Sequence, residues 1–326
     1  MVLAARLHQH GDPATAALLE DLTSPAPGPG DAQVRMRLAP INPADLNVIE
    51  GSYGQLPTLP ATLGNEGLGE VIAVGPGTTL AVGDLVRPMD GVGSWCRELT
   101  TCADRLLRLP TGLLDAQAAM LAVNPATAWS ILAEFGPVPA GAWIALNAPG
   151  SGVGLALLAL ARARGLRVAA LVRRADAVAG IQAAGAALVA VEGRDAHRTL
   201  RAGMDAPAVL ALNQVGGDSA VTLAKLLGPR STLVTIGALA RAPLSLPNGA
   251  VIFNELRCVG FWVSRWYRRA DPAQVAAMLA ELATLMRAGQ LLLPVDSIVP
   301  LSRLPDAIAR ARDPARRGKV LLDCQA

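Results

Sequence analysis

The residues best suited to chemistry form a glycine-rich turn at positions 147–154, Asn-Ala-Pro-Gly-Ser-Gly-Val-Gly. It lies between an apolar run, 142–146, that predicts a buried strand and a run, 153–164, that predicts a helix. Glycines allow a tight turn and close approach of a phosphate, and a helix N-terminus attracts anions. Leu155 stands where a G-x-G-x-x-G fingerprint needs its third glycine, so a plain strand-to-helix turn is the alternative. We interpret the turn as a dinucleotide-binding loop because its strand–turn–helix context fits.

Two arginines, Arg173 and Arg174, directly follow the next apolar run, 167–172. An acidic residue about 20 residues past the loop would bind the ribose 2′-hydroxyl of NAD, and this strand end carries none. Guanidinium groups there suit the 2′-phosphate of NADP, which they bind by charge-assisted hydrogen bonds. A solvated arginine pair at a strand end is the alternative. The missing acid favours NADPH as the cofactor.

The sequence lacks the residues for metal or hydrolase chemistry. Catalytic zinc in alcohol dehydrogenases needs Cys and His ligands, but segment 64–70 has no histidine and no cysteine precedes residue 96. No serine lies in a nucleophile elbow. We therefore expect no metal site and no Ser-His-Asp triad. The histidines and cysteines are scattered: His8, His10, His197, Cys96, Cys102, Cys258 and Cys324.

Two patterns of elements must position these residues. Up to about residue 120, short β runs are broken by Gly and Pro, which predicts a barrel-like or sandwich-like β domain. From about residue 125, apolar strands alternate with helices, which predicts a parallel sheet covered on both faces. The tail, with a helix over 272–288, resembles a return to the first domain, although a cap on the nucleotide domain is the alternative. Strands are predicted at 142–146, 167–172, 187–191, 208–212, 232–236, 257–263 and 319–323, and helices at 153–164, 176–184, 219–227 and 304–312.

The composition bounds the class of protein. The chain has 326 residues, of which 52% are hydrophobic and 17% charged, so it folds and two domains are expected. The net charge of +3 without clustered basic residues gives no indication of nucleic-acid binding. No apolar stretch is long enough to span a membrane and no targeting segment is recognised. We expect a cytoplasmic protein without disulfides.

Six motifs resemble a known family. They are 42–47 (NPADLN), 51–54 (GSYG), 64–67 (GNEG), 123–128 (VNPATA), 147–154 and 260–266 (GFWVSRW). Together they resemble the zinc-free branch of the medium-chain dehydrogenase/reductase superfamily, and within it the mitochondrial-type 2-enoyl thioester reductases. The resemblance implies an α/β fold in which a doubly wound, parallel Rossmann sheet is inserted in a split, β-rich, GroES-like catalytic domain. The implied boundaries are 1–124 plus 267–326 for the catalytic domain and 125–266 for the NADPH-binding domain.

The resemblance also assigns site residues. Tyr53, between Gly51 and Gly54, would be the catalytic residue; a loop tyrosine packing its ring is the alternative. Ala175 departs from the family, which often has a second basic residue there, and Arg174 would compensate. The implied cofactor-binding residues are Asn124, Gly150, Ser151, Gly152, Val153, Arg173, Arg174, Ile236, Gly237, Ala238, Leu239, Phe261, Trp262, Val263, Ser264 and Lys319.

The implied reaction is the NADPH-dependent reduction of a 2-enoyl thioester of coenzyme A or acyl-carrier protein. Hydride goes to Cβ, hydrogen-bond donors meet the developing enolate, and a proton goes to Cα. Tyr53 would donate to the enolate or pass the proton. A quinone or generic enone reductase is one alternative, and a non-catalytic nucleotide-binding protein is another.

Two expectations concern partners. The resemblance implies a homodimer whose Rossmann sheets pair edge to edge, with the run 257–263 as the edge strand; an internal strand is the alternative. Arg265, Arg268 and Arg269 are candidates to bind phosphates of the coenzyme A or carrier-protein arm, although an ordinary solvated basic face is the favoured explanation for any one of them.

Overall fold

The computed structural model describes all of residues 1–326, which form two compact units. The first unit holds residues 1–123, 279–287 and 292–326, and the second holds 124–278 and 288–291. The sequence placed the second crossing near residue 267, whereas residues 267–278 lie in the second unit. The reason is that the helix Val263–Arg269 packs against the helix Asn124–Glu134 of the same unit.

Residues 1–123 form short strands joined by turns and three short helices, as their Gly and Pro spacing predicts. The elements are β1 (Val2–Leu7), α1 (Pro13–Ala16), β2 (Ala17–Leu22), β3 (Asp31–Pro40), α2 (Pro43–Glu50), β4 (Ala61–Thr62), β5 (Leu68–Val74), β6 (Leu85–Pro88), β7 (Glu98–Cys102), β8 (Leu106–Arg108) and α3 (Asp115–Ala119).

Residues 124–287 alternate helices and strands. The elements are α4 (Asn124–Glu134), β9 (Trp143–Asn147), α5 (Gly152–Ala163), β10 (Arg167–Val172), α6 (Val178–Ala183), β11 (Leu188–Val191), α7 (Ala196–Ala202), β12 (Ala208–Asn213), α8 (Gly217–Leu226), β13 (Leu227–Thr235), α9 (Asn248–Phe253), β14 (Arg257–Gly260), α10 (Val263–Arg269) and α11 (Pro272–Arg287).

The second unit is built on a six-stranded sheet in the order β11-β10-β9-β12-β13-β14, with every pair parallel. This is the 3-2-1-4-5-6 order of a doubly wound Rossmann sheet, and the order reverses between β9 and β12. Every residue of the central strand β9 is buried. The predicted fold class of this unit is confirmed.

The chain then returns to the first unit through β15 (Val295–Pro300), α12 (Leu304–Arg312) and β16 (Lys319–Asp323). β16 pairs antiparallel with β3, Leu322 facing Ala39, and extends the sheet β15-β16-β3-β5-β6-β8, in which β7 also pairs with β3. A second sheet has the order β2-β1-β4. Ile308 and Leu322 share one core with Val34 and Met36 of β3, so both ends of the chain build this unit.

Two of the predicted elements that differ from the structure lie beside predicted cofactor residues. The strand predicted over 257–263 ends at Gly260, because its partner β13 ends at Thr235, which pairs with Gly260; Val263 then begins α10. The helix predicted over 176–184 starts as a 3₁₀ turn, Ala175–Ala177, before α6. No helix is both long and apolar enough to cross a bilayer.

Candidate active site

The predicted cofactor residues of the second unit follow strand ends at one edge of its sheet. Residues 150–153, 173–174, 236–239 and 261–264 come directly after β9, β10, β13 and β14. Because all these strands are parallel, their carboxyl ends meet at the same edge. In a doubly wound sheet, ligands bind at that edge, where the strand order reverses. The structure therefore brings these residues to the position where a dinucleotide binds.

The loop after β9 has the geometry of a phosphate cradle. Ser151 caps α5, its Oγ accepting the Gly154 N–H at 2.9 Å. A Cβ on Gly154 would lie 2.5 Å from the Pro149 carbonyl oxygen, so tight packing requires that glycine. A Cβ on Gly150 would meet only Ile181, at 3.9 Å. Nothing inside the protein requires Gly150 to lack a side chain, and the space above it suits the phosphates of a dinucleotide.

Buried amides hold this loop from behind. Asn147 Nδ2 donates to Asn213 Oδ1 at 2.8 Å and to Ser219 Oγ at 3.0 Å. The Gln214 N–H donates to Asn147 Oδ1 at 2.7 Å, and Ser151 Oγ bonds Gln214 Oε1 at 2.7 Å. Asn213, Gln214 and Ser219 were not predicted from the sequence. The available signal was an Asn-Gln pair directly after the apolar run 208–212, at the strand end that faces the loop.

The two arginines after β10 differ in their surroundings. Both are exposed. Arg174 Nε donates to Asp176 Oδ1 at 3.1 Å, whereas Arg173 forms no ion pair in the structure. Asp176 is thus an acid close to this strand end, although the sequence has none directly at it. Arg173 is therefore the freer of the two guanidinium groups for a 2′-phosphate.

The loops after β13 and β14 close on the same edge. A Cβ on Gly237 would lie 2.9 Å from the Gln214 carbonyl oxygen, and the Leu239 N–H donates to that oxygen at 3.1 Å. The Phe261 N–H donates to Thr235 O at 3.0 Å, and the Phe261 side chain is buried. Backbone contacts thus fix residues 236–239 against the loop after β12 and the start of 261–264 against the end of β13.

Asn124 and Trp262 also lie in this unit. Asn124 begins α4 and is 8% exposed, and a Cβ on Gly152 would lie 3.0 Å from its Cγ, so its side chain touches the glycine loop. Trp262 caps α10 and is half-buried, with Arg265 and Arg268 each 5.5 Å from its ring centroid. The structure therefore joins Asn124 to the predicted cofactor loop.

Tyr53 belongs to the first unit. Helix α2 ends at Gly51, whose φ of 78° favours glycine, and the Tyr53 N–H donates to Asn47 O at 3.2 Å. The ring is half-buried and packs on the core shared by both chain ends. The loop is thus held to the end of a helix, which fixes the position of the Tyr53 backbone.

The last predicted cofactor residue, Lys319, begins β16 in the first unit. It is 8% exposed, and its Nζ donates to Asn42 Oδ1. Burial lowers the pKa of Lys319 to about 8, partly offset by Glu66. Its role toward the cofactor stays a prediction.

No group of three or more His, Cys, Asp or Glu side chains is arranged to hold a metal ion. The second unit offers a cradle for a dinucleotide, which is suited to hydride transfer. The first unit offers a loop phenol, which is suited to proton transfer.

Comparison with known proteins agrees with this arrangement. Residues 28–132 match the family described as alcohol dehydrogenase GroES-like domain, and 185–322 match the family described as zinc-binding dehydrogenase. The GroES-like assignment of the first unit is thereby confirmed. The mitochondrial enoyl-acyl-carrier-protein reductases of Bos taurus and Homo sapiens are 38% and 37% identical to the chain, over 96% of it and 86% of their own lengths.

Solved structures give the same picture. The mitochondrial 2-enoyl thioester reductase Etr1p/Etr2p heterodimer from Candida tropicalis superposes with a TM-score of 0.89 at 25% identity, and the Etr1p complex with NADP and crotonyl-CoA gives 0.89 at 26%. Each match covers 99% of both chains. A structure assigned as an NADPH:quinone reductase from Bacillus thuringiensis superposes with a TM-score of 0.88 at 27% identity, over 99% of this chain and 98% of that one. Identity above one third over nearly the whole chain, with the Rossmann and GroES-like units in place, shows that this chain belongs to the enoyl-acyl-carrier-protein reductase family of the medium-chain dehydrogenase/reductase superfamily.

Proposed function

We propose that this protein is an NADPH-dependent reductase of 2-enoyl thioesters. The observation that carries the proposal is the kinship with enoyl-acyl-carrier-protein reductases over 96% of the chain. A solved relative with the same fold is described with NADP and crotonyl-CoA. The open space above Gly150 and the exposed Arg173 suit a phosphorylated dinucleotide.

The loop after β9 and the N-terminus of α5 would hold the pyrophosphate of NADPH, and Arg173 would bind its 2′-phosphate. When bound, the cofactor would supply the hydride that Cβ of the substrate accepts. As the C=C electrons move toward the thioester oxygen, the Tyr53 hydroxyl donates a hydrogen bond to that oxygen. The phenol, directly or through water, supplies the proton that completes the bond at Cα.

The substrate is a thioester, and its carrier is coenzyme A or acyl-carrier protein. Relatives named for the carrier protein and a relative described with crotonyl-CoA support both carriers. Arg265 and Arg268, exposed on α10, are suited to phosphates of either carrier.

A quinone reductase is the second candidate, because a chain assigned to that activity superposes with a TM-score of 0.88. The two activities share fold and cofactor and differ in the acceptor. The acceptor that the protein reduces therefore distinguishes the two candidate functions.

We also propose a homodimer formed through the edge strand β14. Its neighbour α9 carries exposed apolar side chains: Val251 is 45%, Ile252 64% and Phe253 82% exposed. An open sheet edge beside exposed apolar residues invites pairing with a second copy.

The test is a substrate panel. Oxidation of NADPH and of NADH is followed at 340 nm with crotonyl-CoA, longer enoyl-CoAs, an enoyl-acyl-carrier protein and a simple quinone. We expect turnover of the thioesters and a preference for NADPH. Turnover of the quinone with none of the thioesters would establish the second candidate instead.

A further inference from the structure

Three ionisable side chains of the first unit lie buried around one amide, that of Asn42. Asp45 and Glu66 are each 1% exposed and Lys319 is 8% exposed. Lys319 Nζ donates to Asn42 Oδ1, and Asn42 Nδ2 donates to Glu66 Oε2 at 2.9 Å. The Asn42 N–H donates to Asp45 Oδ2 at 2.7 Å. We call Asn42, Asp45, Glu66 and Lys319 the buried cluster.

The two ends of the Asn42 amide cannot be exchanged. An ammonium only donates, so Oδ1 must face Lys319. Nδ2 must then face an acceptor, and the ionised carboxylate of Glu66 is one. The cluster thus forms a directed chain of hydrogen bonds from Lys319 through Asn42 to Glu66, and each link depends on the charge at both ends.

Glu66 carries the chain on to the segment that enters the second unit. Its Oε1 accepts the Val123 N–H at 2.7 Å. Val123 ends the first of the three chain segments that form the first unit, and Asn124, a predicted cofactor residue, begins the second unit. The position of the Val123 backbone therefore depends on Glu66.

Asp45 connects the cluster to the Tyr53 loop. Its Oδ1 accepts both the Asn65 N–H at 3.0 Å and Asn65 Nδ2 at 2.8 Å, and Asp45 caps the start of α2 in a capping box with Asn42. The other end of α2 carries Tyr53, whose N–H bonds Asn47 O. The cluster fixes one end of the helix whose other end presents the phenol.

Burial makes the charges of the two carboxylates depend strongly on their neighbours. It raises the pKa of Asp45 to about 6 and that of Glu66 to about 7, because water is excluded from the charged forms. The positive charges that favour the ionised form of Glu66 are those of Arg87 and Lys319. Only two of the 29 basic Lys and Arg residues of the chain are lysines, and Lys319 is one of them. A lysine suits this site because its compact ammonium can donate to the single amide oxygen of Asn42.

We propose that the buried cluster is a charge-matched positioning device, in which Glu66 and Lys319 act through Asn42 to hold both the Val123–Asn124 junction and the Tyr53 loop in their reactive positions. The catalytic part of this proposal rests on the proposed function. In this role Asn42, Asp45 and Glu66 position other residues, and Lys319 does so in addition to the cofactor contact that the family resemblance assigns to it.

Removing one charge should harm the enzyme more than removing both. In Glu66→Gln, the one remaining oxygen cannot accept from both the Asn42 N–H₂ and the Val123 N–H, and a flip of Asn42 would turn its N–H₂ against Lys319. In Lys319→Met, Asn42 Oδ1 loses its donor and Glu66 keeps only Arg87 of its two nearby positive charges. In the double variant Glu66→Gln/Lys319→Met, the Gln oxygen accepts the Val123 N–H and its N–H₂ donates to Oδ1 of a flipped Asn42. The bonds of position 66 are thus restored without charge, while Asn42 Nδ2 faces the Met side chain.

The experiment measures kcat, KM and hydrogen exchange for the full chain and these three variants. Each single variant should lower kcat about 10²-fold, the cost of misplacing reactive groups by about 1 Å, and should speed amide exchange in residues 47–56 and 120–126. The double variant should recover most of both losses. Added to Tyr53→Phe, Glu66→Gln should change kcat only about threefold or less, since coupled residues are not additive.

Two matched controls isolate the buried cluster. Glu98→Gln removes a surface carboxylate that pairs with Arg35 at 3.2 Å, and Lys225→Met removes an exposed lysine of α8. Both should retain wild-type kcat and exchange.

The outcomes separate the possible failures. A double variant as impaired as the two singles combined, or singles with wild-type exchange at 47–56 and 120–126, overturns the proposal. Faster exchange throughout β5 and β6 with unchanged kcat indicates a purely structural role and also overturns it. If the wild type reduces no enoyl thioester, the proposed function fails, while the exchange data still test the charge matching.

Discussion

At the residue scale, the functional claim concentrates on Tyr53. Tyr53→Phe keeps the ring that packs on the core and removes only the hydroxyl. If that hydroxyl stabilises the enolate or delivers the proton, kcat should fall about 10²–10⁴-fold. KM for the thioester and the affinity for NADPH should stay near wild type, because the lost interaction belongs to the transition state. Steady-state kinetics and a cofactor titration measure both; a variant that keeps most of its activity on every enoyl thioester would remove the phenol from the mechanism.

The cofactor preference is a second prediction at this scale. Arg173→Ala with Arg174→Ala should weaken NADPH binding by about 1–3 kcal/mol through the loss of charge-assisted bonds, and should leave NADH nearly unaffected. Of the single variants, Arg173→Ala should have the larger effect, because Arg174 already pairs with Asp176. Fluorescence titration with both cofactors tests this. Equal weakening of NADPH and NADH would contradict the assignment.

The sequence predicts single site residues where their function depends on neighbouring positions in the chain. The glycine loop and the arginine pair stand out in the sequence because neighbouring positions define them. The buried cluster could not be found in this way, because Asp45, Glu66 and Lys319 come from three distant segments and look like ordinary surface charges until the fold buries them. Asn213 and Gln214 were missed because an Asn-Gln pair gains meaning only at the carboxyl end of β12.

At the element scale, two glycines of one loop should behave in opposite ways. Gly154→Ala should lower the melting temperature by several degrees, because its Cβ would press on the Pro149 carbonyl oxygen. Gly150→Ala should leave the melting temperature unchanged, since its Cβ enters open space, and should weaken NADPH binding by filling the phosphate site. Thermal melts with and without NADPH distinguish the two. Unchanged NADPH affinity in Gly150→Ala would place the phosphates elsewhere.

A salt bridge at the opposite edge of the sheet predicts acid sensitivity. Arg167, at the start of β10, bonds both oxygens of Asp205 at 3.0 and 2.8 Å, and Trp143 Nε1 donates to Asp205 Oδ1 at 2.8 Å. These bonds, the arginine's first, lower the pKa of Asp205 to about 2. A folded-state pKa below the unfolded value of 3.8 adds stability that is complete above that value and is lost as the pH falls toward 2.

Asp205→Asn should therefore melt at a lower temperature than wild type at pH 7, and the difference should close between about pH 4 and pH 2. Thermal melts across this range provide the measurement. Asp195→Asn, which breaks an exposed pair with Arg198 three residues away, should match wild type throughout. A constant difference down to pH 2 would show that the ionised carboxylate is not the stabilising group.

Elements were predictable where apolar content and periodicity agreed. β10, α12 and β16 have the predicted bounds, and the other strands of the Rossmann sheet differ by a few residues. The run 257–263 was predicted wrongly as one strand because Phe261, Trp262 and Val263 are as apolar as the strand before them. Only the end of the partner strand β13 decides where β14 stops. Helix α10 was missed for the same reason.

At the scale of the whole molecule, the proposed homodimer gives a direct prediction. Wild-type protein should scatter light as a particle of twice the 33.5 kDa chain mass. Phe253→Asp places a charge on a side chain that is 82% exposed beside β14 and should shift the protein toward the chain mass. Val82→Asp, at an apolar residue 64% exposed in the first unit, should leave the dimer intact. A wild-type protein that is monomeric at micromolar concentration would exclude this dimer.

The expected cytoplasmic location stays a prediction.

The pairing of β16 with β3 sets the order in which the chain can fold. Leu322 faces Ala39 across the sheet, so β16, the strand beside β3, leaves the ribosome only after the whole stretch 143–260 has been synthesised. The six strands of the Rossmann sheet, by contrast, come from the continuous stretch 143–260, whose contacts are closer in sequence and can form earlier. During translation, the dinucleotide-binding unit should thus be assembled while the unit that carries Tyr53 still exposes the side of β3 awaiting its last partner. For this time, the open strand is a site for chaperone binding or for misfolding between nascent chains.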